Sequence, residues 1–425
     1  MRILFSIFFA LWLGYGALSA PTSKDGKGRT FKVQAVRRSN TIHGPTALRR
    51  AYLKYGIVPS TIGIDLDDFE PLEPVMKAAV ADSKTTIVEP DQSGAVSAAS
   101  VEGDAAFVSP ITIGGQELTV TFDTGSSDLW VMNTRLPQSS IEGRPAYDPS
   151  ASSTFSNMKG STFNITYGDD SYAFGGVGTD TINVGGVTVT GQAIGLPTQV
   201  SDSFLEDTYT NGLVGLGFSA LNTIQPQQQR SFFETIAEVL DEPVLGASIK
   251  SESVGEYEFG VIDKSKYKGD LVNASVDASS GYWKFESSYY RVGSGDLKKN
   301  DQATATIADT GTSLMLLDQH VVDAYYAKVK GAQYVASATG YIYPCSAELP
   351  NFSIAIGPNH LATVPGSLMG FSEVGTNTTT GETVCYGGMQ SNQGLSMQIL
   401  GDTFLKAFYV VFDLRGPSIG VGSPL

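Results

Sequence analysis

The chain has 425 residues and a formal net charge of −15 at neutral pH. It is too long for one small core and suits two lobes with additional segments. Only 17% of the residues are charged, whereas 47 are glycine, and this composition favours many short strands joined by turns. The acidic balance argues against nucleic acid as a partner, because the protein would repel phosphate.

The N-terminus has the layout of a secretory signal peptide, which we predict over residues 1–20. Arg2 supplies a positive charge, an apolar run extends from Ile3 to Leu13, and small residues at 17–20 offer a cleavage site. The run is too short to span a membrane. No later stretch holds eighteen apolar residues, and the C-terminus lacks the hydrophobic tail of a lipid-anchor signal. The sequence therefore predicts an exported protein without a membrane partner.

A basic segment precedes an acidic body. Residues 21–56 hold nine lysines and arginines against one acidic residue, whereas residues 91–425 hold 35 acidic and 16 basic residues. Opposite charge predicts that the segment docks on the body. A solvated tail and a nucleic-acid arm are the alternatives, and export argues against the second. We predict a short helix over residues 46–54, and a linker that is cut on release in the polar stretch at 82–105.

From about residue 106 the pattern is that of an all-β protein with a few short helices. Apolar or alternating runs predict strands at 108–113 and 118–122, and residues 179–190 have the pattern of a hairpin around Gly185-Gly186. Apolar residues at helical spacing predict two helices, within residues 231–240 and 318–329.

The decisive feature is an internal repeat. Asp123-Thr124-Gly125-Ser126-Ser127 returns as Asp309-Thr310-Gly311-Thr312-Ser313, and each copy is followed by an apolar tripeptide whose glycine lies 92 residues after the aspartate. These tripeptides are Leu213-Val214-Gly215 and Ile399-Leu400-Gly401. One copy alone could be a tight turn with a capping aspartate. Two matched pairs predict two lobes related by an approximate twofold axis, which we assign to residues 91–282 and 283–425.

The axis would bring the two turns together, with one aspartate on each. Gly125 and Gly311 would let the two backbones approach closely. Hydroxyl groups would fix the turns and the carboxylates by hydrogen bonds; they belong to Thr124, Ser126, Thr310 and Thr312. The apolar tripeptides would form buried strands beneath each turn.

With these motifs the sequence resembles the pepsin family of aspartic proteases over residues 107–421. The resemblance is carried by the segment Phe122–Val131, by Tyr167-Gly168-Asp169, by the two Asp-Thr-Gly copies and by Ile399-Leu400-Gly401-Asp402. It implies a bilobal all-β fold with a cleft for an extended peptide and a catalytic pair formed by Asp123 and Asp309, with no metal or organic cofactor. Two close carboxyls share one proton, so one can act as a base on water and the other as an acid. We expect a monomer.

The resemblance also implies roles around the cleft. Tyr167 looks like the tyrosine of the flap that closes over substrate, and Trp130 like its hydrogen-bond partner, although both aromatics could be ordinary core residues. Phe204 and Leu213 would line the pocket for the residue before the cut. The expected substrate-contact residues are Tyr167, Gly168, Asp169, Phe204, Leu213, Gly311 and Thr312.

Two positions depart from the family pattern. Asp170 stands where glycine is common in the flap, and Asp128 stands where asparagine is commoner. Asp170 puts the geometry of the flap tip and the substrate preference in doubt, but not the chemistry.

Cys345 and Cys385 are the only cysteines, and an even count in an exported protein predicts one disulfide, with two free buried thiols as the alternative. The motifs around both cysteines are similar to those of the secreted fungal subgroup that includes endothiapepsin and penicillopepsin. Four N-glycosylation sequons are present; they begin at Asn164, Asn273, Asn351 and Asn377. Asn377 is the favoured acceptor, and Asn164, next to the flap, is the least favoured.

Residues 21 to about 90 resemble a propeptide of this family, and Lys54-Tyr55 resembles its inhibitory element. Near neutral pH, Lys54 would lie between Asp123 and Asp309 as their counter-ion, and acidification would dissolve these pairs. The alternative is a segment that assists folding and never enters the cleft.

The sequence thus predicts the zymogen of an acid-acting endopeptidase that prefers large hydrophobic residues flanking the cut. Its partners would be protein substrates and its own propeptide. We expect secretion to the medium, with an acidic vacuole as the alternative destination. A glycoside hydrolase, which also uses two carboxylates, and a peptide-binding relative without catalysis are the competing interpretations.

Overall fold

The computed structural model describes residues 31–37, 43–55, 107–166, 171–250, 255–302, 305–377, 380–393 and 395–425. The predicted signal peptide, the predicted linker at 82–105 and the predicted flap tip at 167–170 lie outside these ranges. Strands dominate the described residues, so the all-β prediction is confirmed. No helix in the described part of the chain is long and apolar enough to cross a membrane.

The strands before residue 280 run as follows: β1 (Phe31–Arg37), β2 (Phe107–Ile113), β3 (Gln116–Asp123), β4 (Leu129–Val131), β5 (Ser156–Thr166), β6 (Tyr172–Val184), β7 (Val187–Val200), β8 (Gly212–Gly215), β9 (Val244–Ser248), β10 (Gly255–Phe259) and β11 (Tyr267–Ser275). The later strands are β12 (Lys284–Phe285), β13 (Tyr289–Val292), β14 (Lys298–Lys299), β15 (Thr306–Ala308), β16 (Met315–Leu317), β17 (Gln333–Val335), β18 (Gly340–Pro344), β19 (Phe352–Ile356), β20 (His360–Val364), β21 (Gly370–Thr376), β22 (Thr383–Gly387), β23 (Met389–Ser391), β24 (Gln398–Leu400), β25 (Tyr409–Asp413) and β26 (Ser418–Pro424).

The α-helices are short: α1 (Gly44–Lys54), α2 (Gln138–Ile141), α3 (Asp202–Glu206), α4 (Phe232–Ile236), α5 (Gln319–Tyr326) and α6 (Asp402–Leu405). Single 3-10 turns occur at Pro149–Ala151, Ser219–Leu221, Ala237–Val239, Lys264–Lys266, Ala278–Ser280 and Gly366–Leu368. The helix predicted at 46–54 is α1, which begins two residues earlier. The helices predicted within 231–240 and 318–329 are present as α4 and α5.

The internal repeat of the sequence is a repeat of strand topology. In the first copy, β8 pairs parallel with β3 and antiparallel with β4, and β4 pairs parallel with β7. In the second copy, β24 pairs parallel with β15 and antiparallel with β16, and β16 pairs parallel with β23. The apolar tripeptides therefore lie between the strands that flank each Asp-Thr-Gly turn, as predicted.

The glycine that ends each tripeptide is required by close packing. A Cβ atom on Gly215 would lie 2.5 Å from the Cα atom of Ser127, and one on Gly401 would overlap the carbonyl oxygen atoms of Thr312 and Leu314. A larger residue at either position would push the turn away from its supporting strand.

One large sheet joins the two halves of the chain. Its strand order is β11-β26-β25-β9-β10-β1-β2-β3-β8-β4-β7-β6-β5. Strands β25 and β26, from the C-terminus, pair with β9 and β11 on the other side of the predicted lobe boundary. The boundary at residues 282 and 283 stays a prediction.

The basic segment is part of the folded structure. Strand β1 pairs antiparallel with both β10 and β2. The apolar face of α1 packs against the second half of the chain, where Leu48 and Tyr52 are buried in a cluster that includes Val374 and Tyr386. The prediction that this segment docks on the acidic body agrees with these contacts.

Candidate active site

The two Asp-Thr-Gly turns meet through a symmetric set of hydrogen bonds. The backbone N–H of Thr124 donates to Oγ1 of Thr310 at 3.1 Å, and the backbone N–H of Thr310 donates to Oγ1 of Thr124 at 3.0 Å. Each hydroxyl then donates across the interface, Thr124 to the carbonyl of Ala308 at 3.0 Å and Thr310 to the carbonyl of Phe122 at 2.8 Å. All four bonds are buried, so the turns are locked together.

The glycine of each turn gives space to the opposite carboxylate. A Cβ atom on Gly125 would lie 2.6 Å from Oδ1 of Asp309, and one on Gly311 would overlap Oδ1 of Asp123. Any side chain at these two positions would displace the aspartates.

Each carboxylate is held by its own turn. The N–H of Gly125 donates to Oδ1 of Asp123 at 2.9 Å, and the hydroxyl of Ser126 donates to Oδ2 at 2.6 Å. The second turn repeats this pattern. The N–H of Gly311 donates to Oδ1 of Asp309 at 3.0 Å, and the Thr312 hydroxyl donates to Oδ2. The hydroxyl groups predicted to fix the carboxylates therefore do so in the structure.

The end of α1 places a cation between the two aspartates. Nζ of Lys54 donates to Oδ1 of Asp123 at 2.6 Å and to Oδ1 and Oδ2 of Asp309 at 2.9 and 2.8 Å. The next residue, Tyr55, donates its hydroxyl to Oδ2 of Asp309 at 2.7 Å. The Lys54 side chain is 9% exposed, against 1% for Asp123 and 0% for Asp309.

Burial and the ion pairs shift the titration of these groups. Burial alone would lower the pKa of Lys54, but the two carboxylates raise that pKa above its ordinary value. Burial raises the pKa of Asp123, an effect that Lys54 opposes and Asp309 reinforces. Burial would also raise the pKa of Asp309, but Lys54 and the hydrogen bonds to this carboxylate lower that pKa to about 2.

Residues 106–423 match the family model for eukaryotic aspartyl proteases. The chain is 62% identical to an Aspergillus fumigatus protein described as an aspergillopepsin A-like aspartic endopeptidase, over the full length of both. It is 40% identical to aspergillopepsin-1 of Aspergillus flavus over 95% of this chain and 93% of the relative. It is 45% identical to penicillopepsin-1 of Penicillium janthinellum over 77% of this chain and 98% of the relative.

The chain belongs to the eukaryotic aspartyl protease family. It is an aspartic endopeptidase, and the bilobal pepsin-like fold predicted from the sequence is the fold of this family. Membership sets aside the glycoside hydrolase interpretation.

A pocket of this protease opens beside Asp123. Trp130, Phe204 and Leu213 line it, together with Gly311 and Thr312. The ring of Trp130 packs edge-on against Phe204 with 4.9 Å between centroids, and the Trp130 side chain is buried. Five of the predicted cleft residues therefore share one pocket. The predicted flap residues Tyr167, Gly168 and Asp169 lie outside the described residues.

Sequence reasoning missed several polar residues of this pocket. Thr121 and Thr210 line it, as do Ser171, Ser203, Asp207 and Asp402. Arg50 also lines the pocket. The sequence could have predicted this position, because Arg50 lies one helical turn before Lys54 and therefore on the same face of the helix. Asp402 directly follows the second apolar tripeptide, whereas Leu216 follows the first. Among the described residues no group of three or more His, Cys, Asp or Glu side chains is arranged to hold a metal ion.

Asp128 is buried directly after the first Asp-Thr-Gly turn. Its carboxylate accepts hydrogen bonds from Nδ2 of Asn222 at 3.1 Å and from the backbone N–H and the hydroxyl of Thr223. Burial raises the pKa of Asp128 to about 7, and the bonds from Thr223 oppose this shift.

The predicted disulfide is formed in the structure. Cys345 and Cys385 are bonded, with 5.0 Å between their Cα atoms. Cys385 lies in β22 and Cys345 directly follows β18, and these two strands are antiparallel neighbours.

The four sequon asparagines differ in their surroundings. Asn164, Asn273 and Asn351 are exposed, whereas Asn377 is half-buried. Oδ1 of Asn377 accepts a hydrogen bond from the N–H of Thr380 at 3.1 Å, and Oδ1 of Asn351 accepts one from Gly366 at 2.9 Å. The preference for Asn377 over Asn164 that the sequence suggested has no support in these surroundings.

Proposed function

We propose that this chain is the secreted zymogen of an acid endopeptidase, in which Asp123 and Asp309 activate water and residues 21 to about 90 form an inhibitory propeptide. Export would follow from the signal peptide predicted at residues 1–20. The proposal is supported chiefly by one observation, which is the placement of the Lys54 ammonium group between the two aspartates.

The proposed chemistry needs both carboxyl groups in different protonation states. Two close buried carboxyls hold one proton between them, since ionising both would place two negative charges side by side. The ionised carboxyl takes a proton from a water molecule held between them while that water attacks the scissile carbonyl carbon. The protonated carboxyl donates its proton to the carbonyl oxygen. Proton transfer to the leaving nitrogen then breaks the C–N bond.

The pocket beside Asp123 supports a preference for large hydrophobic residues next to the cut. Trp130, Phe204 and Leu213 offer apolar surface within reach of the proposed catalytic pair. Burying an aromatic or leucine side chain against them would contribute roughly 1.5–3 kcal/mol.

In the precursor, Lys54 would inhibit by replacing the catalytic water and the shared proton. Its ammonium group satisfies three carboxylate oxygen atoms, and Tyr55 satisfies Asp309 further. Removing one partner of a buried ion pair leaves an uncompensated charge and costs about 3–5 kcal/mol. The ion pairs therefore hold α1 in the cleft as long as the aspartates are charged.

The pH dependence of docking follows from the direction of the pKa shifts. Lys54 lowers the pKa of Asp309 to about 2, so docking is stabilised by this aspartate above its ordinary pKa and loses that contribution as the pH falls towards 2. Lys54 also opposes the rise that burial causes in the pKa of Asp123, so protonation of Asp123 at low pH competes with its ion pair to Lys54. Acidification to about pH 3.5 should therefore loosen α1.

The experiment that tests the proposal is acid processing of the purified precursor. The precursor is purified at neutral pH, shifted to pH 3.5, and sampled for both peptide hydrolysis and the N-terminus of the product. Cleavage upstream of Phe107 should accompany the rise in activity. Lys54→Met, which keeps the aliphatic stem without the charge, should process at a higher pH than the wild type.

Arg49→Met is the matched control, because Arg49 is an exposed cation on the same helix, and its processing should follow the wild type. A precursor that is fully active before any cleavage would refute the inhibitory role. Equal processing of the Lys54→Met and wild-type precursors would also refute it.

A further inference from the structure

The outer face of the hairpin formed by β5 and β6 carries an aromatic pair, in which Phe174 is exposed and Tyr172 is half-buried. Phe174 is 37% exposed, and it is one of six large apolar side chains in the described part of the chain that are exposed to this degree or more, or nearly so. Its ring stacks on that of Tyr172, with 5.6 Å between centroids and 25° between planes. Exposed apolar surface of this kind usually marks a place where something else packs.

The sequon Asn164-Ile165-Thr166 lies on the same face. In the antiparallel register, Asn164 is directly opposite Phe174, and Thr166 is opposite Tyr172. Directly opposite side chains have Cβ atoms about 4.5–5.5 Å apart. A group attached to the Asn164 amide therefore starts beside the aromatic pair.

The other face of the hairpin points into the protein. Phe163, Ile165 and Ala173 are buried in the cluster that contains Trp130. Asn164 and Thr166 alternate with these residues and are exposed. A large group on Asn164 would therefore project away from the pocket beside Asp123.

The amide of Asn164 is also available for reaction. Within the described residues its side chain has no hydrogen-bond partner, in contrast to Asn351 and Asn377, whose side-chain oxygen atoms accept backbone N–H groups. Accessibility at the sequon and a partly exposed aromatic pair are two independent observations at one place.

We propose that Asn164 carries an N-linked glycan whose first sugar packs on Phe174 and Tyr172. The inference rests on the proposed export, which would bring the chain to a lipid-diphosphate-linked oligosaccharide. Nδ2 of Asn164 attacks the anomeric carbon of the oligosaccharide, a C–N bond forms, and the C–O bond to the lipid diphosphate breaks. The amide proton is lost to a base, and the lipid diphosphate leaves. The C–H groups on the flat face of the sugar then cover the aromatic rings.

The test expresses the full chain in a secreting yeast, with residues 1–20 replaced by the host's own leader so that glycosylation does not depend on the native signal. Peptide mapping before and after enzymatic glycan release should find a glycan on the peptide containing Asn164. Thr166→Ala should remove it, and Thr166→Ser, which keeps the sequon, should not. Acid peptide hydrolysis by the same preparation tests the proposed function separately.

Packing on the aromatic pair is tested by comparing melting temperatures. With Phe174 present, Thr166→Ala should melt about 2 °C below Thr166→Ser. With Phe174→Ser, the difference between the same two variants should fall below about 0.5 °C. Enzymatic deglycosylation of the folded wild-type protein should reproduce the first difference. An unmodified Asn164 in the secreted protein would overturn the proposal, and so would a difference that does not depend on Phe174.

Discussion

The two Asp-Thr-Gly turns share their backbone arrangement and differ in the charged residues around them. Each lies between equivalent strands, each donates an N–H and a hydroxyl group to its own aspartate, and each threonine reaches across to the other turn. Five residues after the aspartate, however, the first half buries Asp128 where the second half buries Leu314. One residue after the apolar tripeptide, the first half buries Leu216 where the second buries Asp402.

The difference separates two requirements of the site. Groups that fix geometry obey the twofold repeat, because both aspartates must be held at the same distance from the axis. The additional carboxyl groups of Asp128 and Asp402 break the repeat, which agrees with the proposed chemistry because that chemistry needs the two aspartates in unequal protonation states. Tyr55 adds to the inequality, since its hydroxyl group donates to Asp309 and not to Asp123.

The largest expected effect on activity comes from substitutions in the proposed catalytic pair, and the loss of activity should be equally large for either aspartate. Asp123→Asn and Asp309→Asn should each lower kcat at least 10³-fold, since an amide can neither share the proton nor act as the base. The variants are freed of residues 21–90 by an added protease and assayed near pH 4. Asp270→Asn, at an exposed aspartate, should retain full activity. A residual kcat above about a tenth of wild type for either variant would remove that aspartate from the pair.

Substitutions of Thr124 and Thr310 should lower the free energy of unfolding by similar amounts. Thr124→Val and Thr310→Val each remove a buried hydroxyl and leave the facing N–H without its acceptor, so each should lower the free energy of unfolding by about 2–3 kcal/mol. Thr→Ser variants retain the hydroxyl and should lose less. Urea unfolding of the precursor provides the measurement. A large loss in one half and none in the other would contradict the shared geometric role.

Asp128, which has no acidic counterpart in the second half, should make the free energy of unfolding depend on pH. Its raised pKa of about 7 means that the folded state favours the neutral carboxyl. The stabilisation is therefore fully present below the ordinary pKa of an aspartate and is lost as the pH rises through 7. Between pH 5 and 8 the wild-type precursor should lose on the order of 2 kcal/mol.

Asp128→Asn should flatten that decline, because asparagine can still accept the hydrogen bonds from Asn222 and Thr223 but does not ionise. Urea unfolding at several pH values compares it with Asp270→Asn, which should follow the wild type. An unchanged slope in Asp128→Asn would show that ionisation of this residue does not limit stability.

A smaller effect is expected at the start of α1. Partial burial lowers the pKa of His43, and a hydrogen bond with the backbone of Val374 opposes this shift. Docking is therefore stabilised above the ordinary pKa of histidine and is weakened as the pH falls below it. His43→Asn cannot become charged and should slow processing at pH 5.5 by roughly two- to threefold. His360→Asn, at an exposed histidine, is the control, and equal rates for both variants would exclude a contribution from His43.

The sequence predicted the parts of the site that rest on repetition. Asp123, Asp309 and their hydroxyl groups could be found because one turn repeats the other at equal spacing. Asp402 was part of a quoted motif, but the sequence could not place it or Asp207 in the pocket, because both reach the pocket through tertiary folding and have no repeated counterpart. The β1 strand has only a short alternating signal, in which Phe31, Val33 and Ala35 alternate with Lys32 and Gln34, and a run of this length does not by itself predict a strand within a basic segment.

Pairing partners were also beyond sequence reasoning. Nothing local to Phe31–Arg37 specifies that β1 inserts between β10 and β2, which are far apart in the chain. The sequence makes Asn164 the least favoured glycan acceptor, because it lies next to the flap. Only the strand register shows that the Asn164 side chain faces away from the pocket.

The central claim is that the two turns form one site that Lys54 occupies in the precursor. Its most direct test is the binding of a fluorescent statine peptide, a mimic of the tetrahedral intermediate, to uncut precursor at pH 5.5, with mass spectrometry confirming that the chain stays intact. We predict no binding to the wild-type precursor at micromolar peptide, and at least 100-fold tighter binding to Lys54→Met, since loss of a buried ion pair costs about 3–5 kcal/mol. Equal binding to the two precursors would contradict the claim.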